Sequence, residues 1–211
     1  FRRVLFRSLG DFHAQFGQGL NLWTRLGFGK SALAMNIKKS PRKLRPYTSV
    51  DENLFLRGIG FTAGWKNWEL TTLISQKAID ANISDTLVDG TLPEISSFQL
   101  SGFHRTEAEL FDKDAIEERI MGGNRTFKQD NLKISATAYQ VEYDAELNRN
   151  LGLYNQFDFN NNENVVVGGD FSWIYKSANI FGEFSRSQSG GMAWTGGALL
   201  VPHRDLSFSI L

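Results

Sequence analysis

The sequence predicts an all-β chain, an incomplete antiparallel up-and-down transmembrane β-barrel of about nine or ten strands with long outer loops and one short loop helix. Three observations lead to this fold class. Apolar and polar residues alternate over segments of about 10 to 12 residues, whereas a strand of a globular protein usually has about 5 to 6. Tight turns and long polar excursions alternate along the chain. Aromatic residues gather beside the tight turns, as in the girdles of membrane barrels.

Composition admits this fold and narrows the classes of function. The 211 residues carry 23 Lys and Arg against 23 Asp and Glu, so no global charge attracts a nucleic acid or an acidic membrane. Cys is absent, which excludes disulfides and thiolate metal sites. The 20 Gly and 17 Phe suit long sheets in which glycine relieves crowding.

Both ends of the sequence have features that are typical of a fragment. Residues 1–8 match one frame of a sequencing adapter, so we expect them to be an artefact outside the fold. Residues 9–211 would then be a partial outer-membrane β-barrel domain, because the alternating pattern is still running when the sequence stops. We therefore expect an internal fragment of a longer protein.

The first predicted strand starts near Asp11 and has one apolar and one polar face. Its glycines at Gly17 and Gly19 indicate a bulge, a bend or a close packing contact. The next two strands form a hairpin around Lys66-Asn67. The residues predicted to face lipid along the strands include Phe12, Phe16, Ile59, Phe61, Leu70, Ile74, Phe171 and Phe184.

The long polar segments are predicted to lie at one rim, at roughly 78–116 and 144–163. Thr106 and Glu109 form a capping box, which predicts a short helix near 106–118. The second segment is predicted as a solvated loop with a short strand at 156–159. Between the two segments, the alternation of residues 132–144 changes phase after Ala138, which indicates a bulge or a change of environment.

The opposite rim carries tight turns, which we expect to be periplasmic. The predicted turn residues are Lys66, Asn67, Lys128 and Ser177. Residues that flank a two-residue hairpin loop lie opposite each other on one face of the sheet. The predicted interface aromatic girdle consists of Trp65, Trp68, Phe127, Trp173 and Tyr175.

The polar strand faces supply the candidates for lining the lumen. These candidates are Asp11, His13, Gln15, Glu69, Lys77, Asp170 and Glu183. Opposite charges among them can cross-link a closed barrel, and an aqueous channel uses the same residue types. The sequence leaves a plugged and an open lumen as alternatives.

The densest run of charge supplies the candidates for anion binding. These candidates are Lys38, Lys39, Arg42, Lys43 and Arg45. Such a cluster can bind phosphate, an anionic glycan or nucleic acid. The alternative is an outer loop or a lumen lining whose cations meet acidic residues or lipopolysaccharide, and that alternative is favoured because charged runs are usually solvated faces.

No catalytic residue, metal site or cofactor is predicted, and we expect no enzyme. The three His residues are too few and too separated for a metal site. His104 with Glu107 is the first place to look for a general base, but no activated nucleophile accompanies the pair.

Several separated blocks carry a family resemblance. The stretches "LGDFHAQFGQGLNLWTRLGFGKS", "NIKKSPRKLRPYTSVDENLFLRG", "SGFHRTEAEL", "NRNLGLYNQFDFN" and "FGEFSRSQSGGMAW" resemble the C-terminal region of large helix-hairpin-helix domain-containing proteins of Bacteroidota. The resemblance covers nearly all of residues 9–211. It implies an outer-membrane β-barrel that follows helix-hairpin-helix repeats, the part associated with DNA binding and competence. None of those repeats lies in this sequence, so no DNA-contacting residue is carried over.

We therefore expect a segment of a larger bacterial outer-membrane protein that acts as a membrane anchor or as a pore of unknown substrate. The resemblance adds a link to DNA uptake or export through an N-terminal domain outside the sequence. The alternatives are a specific transporter or porin and a soluble all-β binding domain. The expected partners are outer-membrane lipid and other envelope proteins, without nucleic-acid contact in this chain.

Overall fold

The computed structural model describes residues 2–24, 34–49, 54–85, 92–99, 102 and 104–211. Two short helical segments interrupt an otherwise all-β chain, a 3₁₀ turn at Ala34–Ile37 and helix α1 at Glu107–Phe111. Within these ranges, no helix is both long enough and apolar enough to span a membrane. The strands are β1 (Arg2–Gln15), β2 (Lys43–Pro46), β3 (Leu56–Trp65), β4 (Trp68–Ile79), β5 (Ala81–Asp85), β6 (Glu94–Phe98), β7 (Ile116–Gln129), β8 (Leu132–Tyr143), β9 (Glu146–Leu147), β10 (Glu163–Tyr175), β11 (Ala178–Ser187), β12 (Met192–His203) and β13 (Leu206–Ile210).

Ten strands form one antiparallel sheet in the order β13-β12-β11-β10-β8-β7-β4-β3-β1-β2. Apart from short strands inserted in the connections, neighbours in the sheet are neighbours in the chain, which is an up-and-down arrangement. Strands β5, β6 and β9 form a separate three-stranded sheet. The predicted all-β class with a large antiparallel sheet is confirmed. Among the described strands, no pairing joins β13 to β1 or β2.

Tight turns close four hairpins at one end of the large sheet. The turns lie at Lys66–Asn67, Asp130–Asn131, Lys176–Ser177 and Arg204–Asp205. The long connections between β1 and β3, β4 and β7, and β8 and β10 lie at the other end. The short β11–β12 connection at 188–191 lies there too, so the predicted sorting of short and long connections holds only in part. One turn prediction is wrong. Lys128 belongs to β7, since the pair Gln129–Leu132 continues the ladder to the turn.

Successive tight turns are staggered along the sheet. The pair Trp65–Trp68 closes the first hairpin, and Trp68 lies opposite Phe127. The second hairpin closes at Gln129–Leu132, two residues beyond Phe127. Leu132 lies opposite Trp173 of β10. The third hairpin closes at Tyr175–Ala178, two residues beyond Trp173. The turn end of the sheet therefore advances by about one residue per strand.

The sheet is curved. The 3₁₀ turn packs against β13 at one edge, whereas β2, which begins six residues after that turn, pairs with β1 at the other edge. Six residues span at most about 21 Å. The edges of a flat ten-stranded sheet would lie about 43 Å apart at about 4.8 Å per interval. The connection from the 3₁₀ turn to β2 thus requires the two edges of the sheet to lie much closer together than they would in a flat sheet.

The polar face of the large sheet is buried, and we call it the covered face. Its small polar and charged side chains replace the apolar core of a soluble protein. They include Thr62, Thr71, Ser75, Asn124, Thr126, Ser135, Thr137, Asp170, Glu183 and Ser185. Hydrogen bonds between strands satisfy many of these groups, such as the 3.0 Å contact between the hydroxyls of Thr62 and Thr71.

The opposite face is apolar and open to the surroundings, and we call it the exposed face. A large exposed apolar surface normally marks contact with another protein or with lipid. Its side chains include Ile59, Leu70, Ile74, Met121, Ile134, Val167, Phe171, Ile180, Phe184 and Trp194. The sheet is therefore inverted relative to a sheet that buries its apolar face.

The prediction that Phe12 and Phe16 face lipid is wrong. The two rings are 0% and 2% exposed and belong to an apolar cluster on the covered side. That cluster includes Leu44 of β2 and Leu73 of β4. The reason is the register of β1, which pairs Phe12 with Leu56 and so turns it to the covered face.

The structure bears on four further local predictions, of which the helix end and the strand at 156–159 are wrong. Residues 2–8, expected to be an artefact outside the fold, form the first half of β1. Helix α1 ends at Phe111 rather than near 118, because β7 begins at Ile116. The expected strand at 156–159 is a series of turns. Strand β8 has no bulge at Ala138, so the phase change there reflects a change of environment.

Candidate functional site

One connection of the chain lies against the covered face. Its described residues, 16–24 and 34–49, follow β1, and we call them the inner segment. Their polar contacts reach β4, β10 and β11. Their apolar residues Leu22 and Leu44 pack against Leu73 and Ile120 of the sheet. The inner segment therefore occupies space beside the covered face that water would otherwise fill.

Glu183 of β11 makes the tightest attachment to the inner segment. Its carboxylate accepts hydrogen bonds from the backbone N–H groups of Gln18 at 2.6 Å, Leu20 at 3.0 Å and Asn21 at 3.3 Å. The Asn21 side-chain amide donates a fourth bond at 2.8 Å. Consecutive N–H groups that converge in this way form an anion-binding nest. The buried carboxylate is thereby fully compensated.

Glycine makes this nest possible. Gly17 and Gly19 have φ values of 59° and 94°, in the left-handed region where a β-carbon is costly. A β-carbon on Gly17 would also lie 2.3 Å from the Glu183 Oε1 atom. The close approach that the sequence predicts for the Gly17-Gln18-Gly19 motif is thus an approach to a carboxylate.

Lys38 makes the second attachment. Its ammonium donates to the Ser172 hydroxyl at 2.6 Å and to the Asn179 side-chain oxygen at 2.9 Å, and it lies 5.6 Å from the centre of the Phe181 ring. Burial, followed by repulsion from Lys133, lowers the pKa of Lys38. The cation is held by neutral groups and an aromatic ring.

Paired charges also lie on the covered face. Lys43 of the inner segment forms an ion pair with Glu69, which also accepts Lys128 at 3.3 Å. Two further pairs join the strands themselves. They are Lys77–Glu118 at 3.9 Å and Lys133–Asp170 at 3.7 Å.

The predicted lumen candidates divide between two locations. Glu69, Lys77, Asp170 and Glu183 lie on the covered face, and Gln15 is buried beside it, where it accepts the Arg42 N–H at 3.4 Å. Asp11 and His13 do not join them. Asp11 pairs with Arg57 at 2.8 Å on the exposed side of the β1–β3 ladder, and the His13 ring packs 4.9 Å from that of Tyr47.

The basic run does not form a single anion-binding patch. Lys38 and Lys43 point into the covered face and are occupied there. Lys39 lies 5.2 Å from the centre of the Trp23 ring, while the Arg42 and Arg45 side chains are exposed. The alternative of a lining whose cations meet acidic residues fits Lys43, because Glu69 is its partner.

The five predicted girdle aromatics lie together at the turn end of the exposed face. Trp65 and Trp68 are cross-strand partners. The rings of Trp68 and Phe127 are 4.8 Å apart, and those of Trp173 and Tyr175 are 5.4 Å apart. Each ring therefore sits within two residues of a hairpin's closing pair on its strand.

The loop region at the other end contains the residues suggested as a general-base pair. His104 Nε2 lies 2.9 Å from Asp80 Oδ2, whereas Glu107, its suggested partner, is exposed. The capping box is present, and the Arg105 and Thr106 N–H groups hold the pKa of Glu109 below its usual range. Within the described ranges, no three His, Cys, Asp or Glu side chains are grouped as metal ligands.

Sequence reasoning missed the groups that bind Glu183. Gln18, Leu20 and Asn21 bind through backbone N–H groups, which leave no side-chain signature. Glu183 itself was predicted to face inward, and the spaced glycines marked the bend. The contact crosses 163 residues of sequence between Leu20 and Glu183, so no local pattern joins the two.

Comparison with protein-family models, with curated proteins and with solved structures gave no match.

Proposed function

We propose that this chain is a segment of a bacterial outer-membrane β-barrel whose interior is occupied by the inner segment, and that it acts as a membrane anchor. The inversion of the sheet carries the proposal. In water, a ten-stranded sheet that exposes its apolar face and buries its polar face would be unfavourable at both faces. Against lipid, the same arrangement is favourable at both.

The extent of the apolar surface supports a membrane location. On β10, the exposed face is free of charged residues from Val165 to Tyr175, which is about 33 Å along a strand and about 27 Å in height at a tilt of about 35°. Outer-membrane barrels have an apolar band about 25 Å tall. A polar row follows the band at its far side. This row consists of Arg57, Gln76, Arg119, Gln140, Glu163 and Arg186.

The stagger of the tight turns supports the same geometry. From one strand to the next, the turn advances by about one residue, which is about 3.3 Å along the strand, over a spacing of about 4.8 Å between strands. If the turns lie at one level of a membrane, the tangent of the strand tilt is the ratio of these two lengths. That tilt is about 35°, at the lower end of the range of about 35–45° for membrane barrels. The girdle aromatics, which follow the turns, would then share one interface.

The inner segment supports an anchor over an open pore. It is held by Glu183, Lys38 and Lys43 at three places on the covered face and by an apolar cluster beside them. We expect planar bilayers that contain the wild-type protein to show no steady ion conductance. Steady open-channel currents would favour the pore alternative.

For the larger protein, we propose that the anchored part serves DNA uptake or export. This proposal rests on the resemblance to helix-hairpin-helix proteins of Bacteroidota. Deletion of the gene is expected to reduce natural transformation or DNA release, and a deletion strain that is unchanged in both would remove this part of the proposal.

The depth of single tryptophans tests the membrane proposal. We expect a variant that retains only Trp68, with the other four tryptophans replaced by Phe, to be quenched in phospholipid vesicles. Bromines near the glycerol level should quench it more strongly than bromines deep in the acyl chains, because indoles favour the headgroup level. The measurement is steady-state fluorescence in vesicles of lipids brominated at different depths.

A variant that retains only Trp23 is the matched control. Trp23 lies in the inner segment, and its indole nitrogen is enclosed. We therefore expect little quenching from either depth. Equal quenching of the two variants, or none for Trp68, would contradict the proposed membrane orientation.

A further inference from the structure

Arg125 is a charged residue within the apolar exposed face. Its cross-strand neighbours are Leu70 of β4 and Ala136 of β8. The guanidinium lies 4.3 Å from the centre of the Trp68 ring. None of the ion pairs among the described residues involves Arg125. Arg125 is thus an exposed cation in contact with an aromatic ring, and no carboxylate of the described ranges pairs with it.

The position of Arg125 suits an interface. It lies two residues from Phe127 of the girdle, which is about 7 Å along the strand. A cation on a lipid-facing surface is costly at the membrane midplane and costs little near the interface. A long side chain at this depth can extend its charged end to the headgroup level.

A groove surrounds the guanidinium. It has a volume of about 590 Å³, and Trp65, Trp68, Leu70 and Arg125 contribute to its walls. Glu69 also borders it, but Lys43 and Lys128 bind that carboxylate. An anion in the groove would therefore meet the Arg125 cation, while the Glu69 carboxylate is paired with lysines on the covered face.

A second cation lies at the same rim. The Lys66 ammonium is 5.3 Å from the centre of the Trp65 ring, and Trp65 is the cross-strand partner of Trp68. The two indoles are therefore flanked by a cation on each side. Apolar walls with cations at one end are complementary to an amphipathic anion.

We propose that this groove binds one phospholipid of the adjoining leaflet, with its phosphate on Arg125 and its glycerol and first methylenes against Trp65, Trp68 and Leu70. The inference rests on the proposed membrane location and adds a specific lipid site to it. A guanidinium forms paired hydrogen bonds with a phosphate, which an ammonium cannot match. A free phosphate would leave the apolar walls uncovered, so the occupant is a lipid.

Native mass spectrometry in detergent with added dioleoyl phosphatidylglycerol tests the site. We expect the wild-type chain to retain one lipid and Arg125→Gln to bind it at least tenfold more weakly. Arg119→Gln is the matched control, because Arg119 lies on the same face of β7 but in the polar row, paired with Glu117 at 3.0 Å. Its lipid retention should equal that of the wild type.

The outcomes separate this site from the proposed function, since Trp68 quenching in vesicles reports insertion independently. If the chain inserts into vesicles but Arg125→Gln and Arg119→Gln retain the lipid equally, the lipid site is wrong and the proposed function is not affected. Release of the lipid by millimolar inorganic phosphate would also overturn the lipid site, because the groove would then be a simple anion site. A wild-type chain that fails to insert would overturn the proposed function together with this site.

Discussion

Glu183→Gln is expected to increase the hydrogen-exchange rate of the Gln18, Leu20 and Asn21 amides by about 100-fold. These amides donate to the Glu183 carboxylate at 2.6, 3.0 and 3.3 Å. The substitution keeps the size of the side chain, but it removes the charge and replaces one acceptor oxygen with a donor. A donor facing backbone N–H groups leaves buried polar groups unsatisfied.

The size of this effect follows from hydrogen bonds to a charged acceptor. Each contributes roughly 1.5–3 kcal/mol, and their loss is not additive. We expect the attachment of the inner segment to weaken by about 3 kcal/mol, which corresponds to about 100-fold in a local opening equilibrium. The measurement is exchange mass spectrometry of peptides from residues 16–24 in lipid or detergent.

Two further variants make the result specific. Gly17→Ala leaves the carboxylate intact, but its β-carbon would lie 2.3 Å from Glu183 Oε1 at a φ of 59°, so we expect faster exchange in the same peptide. Glu163→Gln changes an exposed carboxylate on β10 and should leave that peptide unchanged. Unchanged exchange in Glu183→Gln would show that the nest does not hold the inner segment.

Phe171→Lys is expected to destabilise the lipid-inserted chain by about 2–4 kcal/mol, the cost of a lysine near the midplane of a barrel's lipid face. Phe171 is 43% exposed and lies four residues before the closing pair of its hairpin. Four residues correspond to about 13 Å along the strand, which brings Phe171 close to the middle of the apolar band. The measurement is the free energy of unfolding in vesicles from guanidinium titration.

Tyr175→Lys is the matched comparison. Tyr175 is 52% exposed, is also aromatic, and lies on the same strand and face beside the turn. At the interface a lysine costs about 0–1 kcal/mol, so the two variants should differ by at least about 2 kcal/mol. For a sheet in water, the cost of a lysine does not depend on depth in a membrane. Equal effects of the two substitutions would therefore argue against a membrane.

The sequence predicted the strands well, because alternation at period two is a local property that each segment carries by itself. Trp65 and Trp68 were placed opposite each other from the two residues between them, and the ladder confirms that pair. Two apolar residues, Leu73 and Phe181, interrupt the polar faces of their strands. Leu73 and Phe181 are buried on the covered face, where the inner segment lies.

The errors arise where long-range contacts decide the outcome. Alternation shows which residues share a face, but it does not show what covers that face. Phe12 and Phe16 have the pattern of lipid-facing residues, yet they pack with Leu22 and Leu44 on the covered side. The Glu183 nest is likewise formed by backbone groups distant in sequence, and the side-chain pattern contains no record of them.

The attachment of the inner segment to β11 also constrains the order of folding. Gln18, Leu20 and Asn21 precede their partner Glu183 by 165, 163 and 162 positions. Contacts of such separation form late, because loop closure must be compensated by structure already made. The inner segment is therefore synthesised before strands β3 to β11, yet it is among the last parts of this sheet to reach its place.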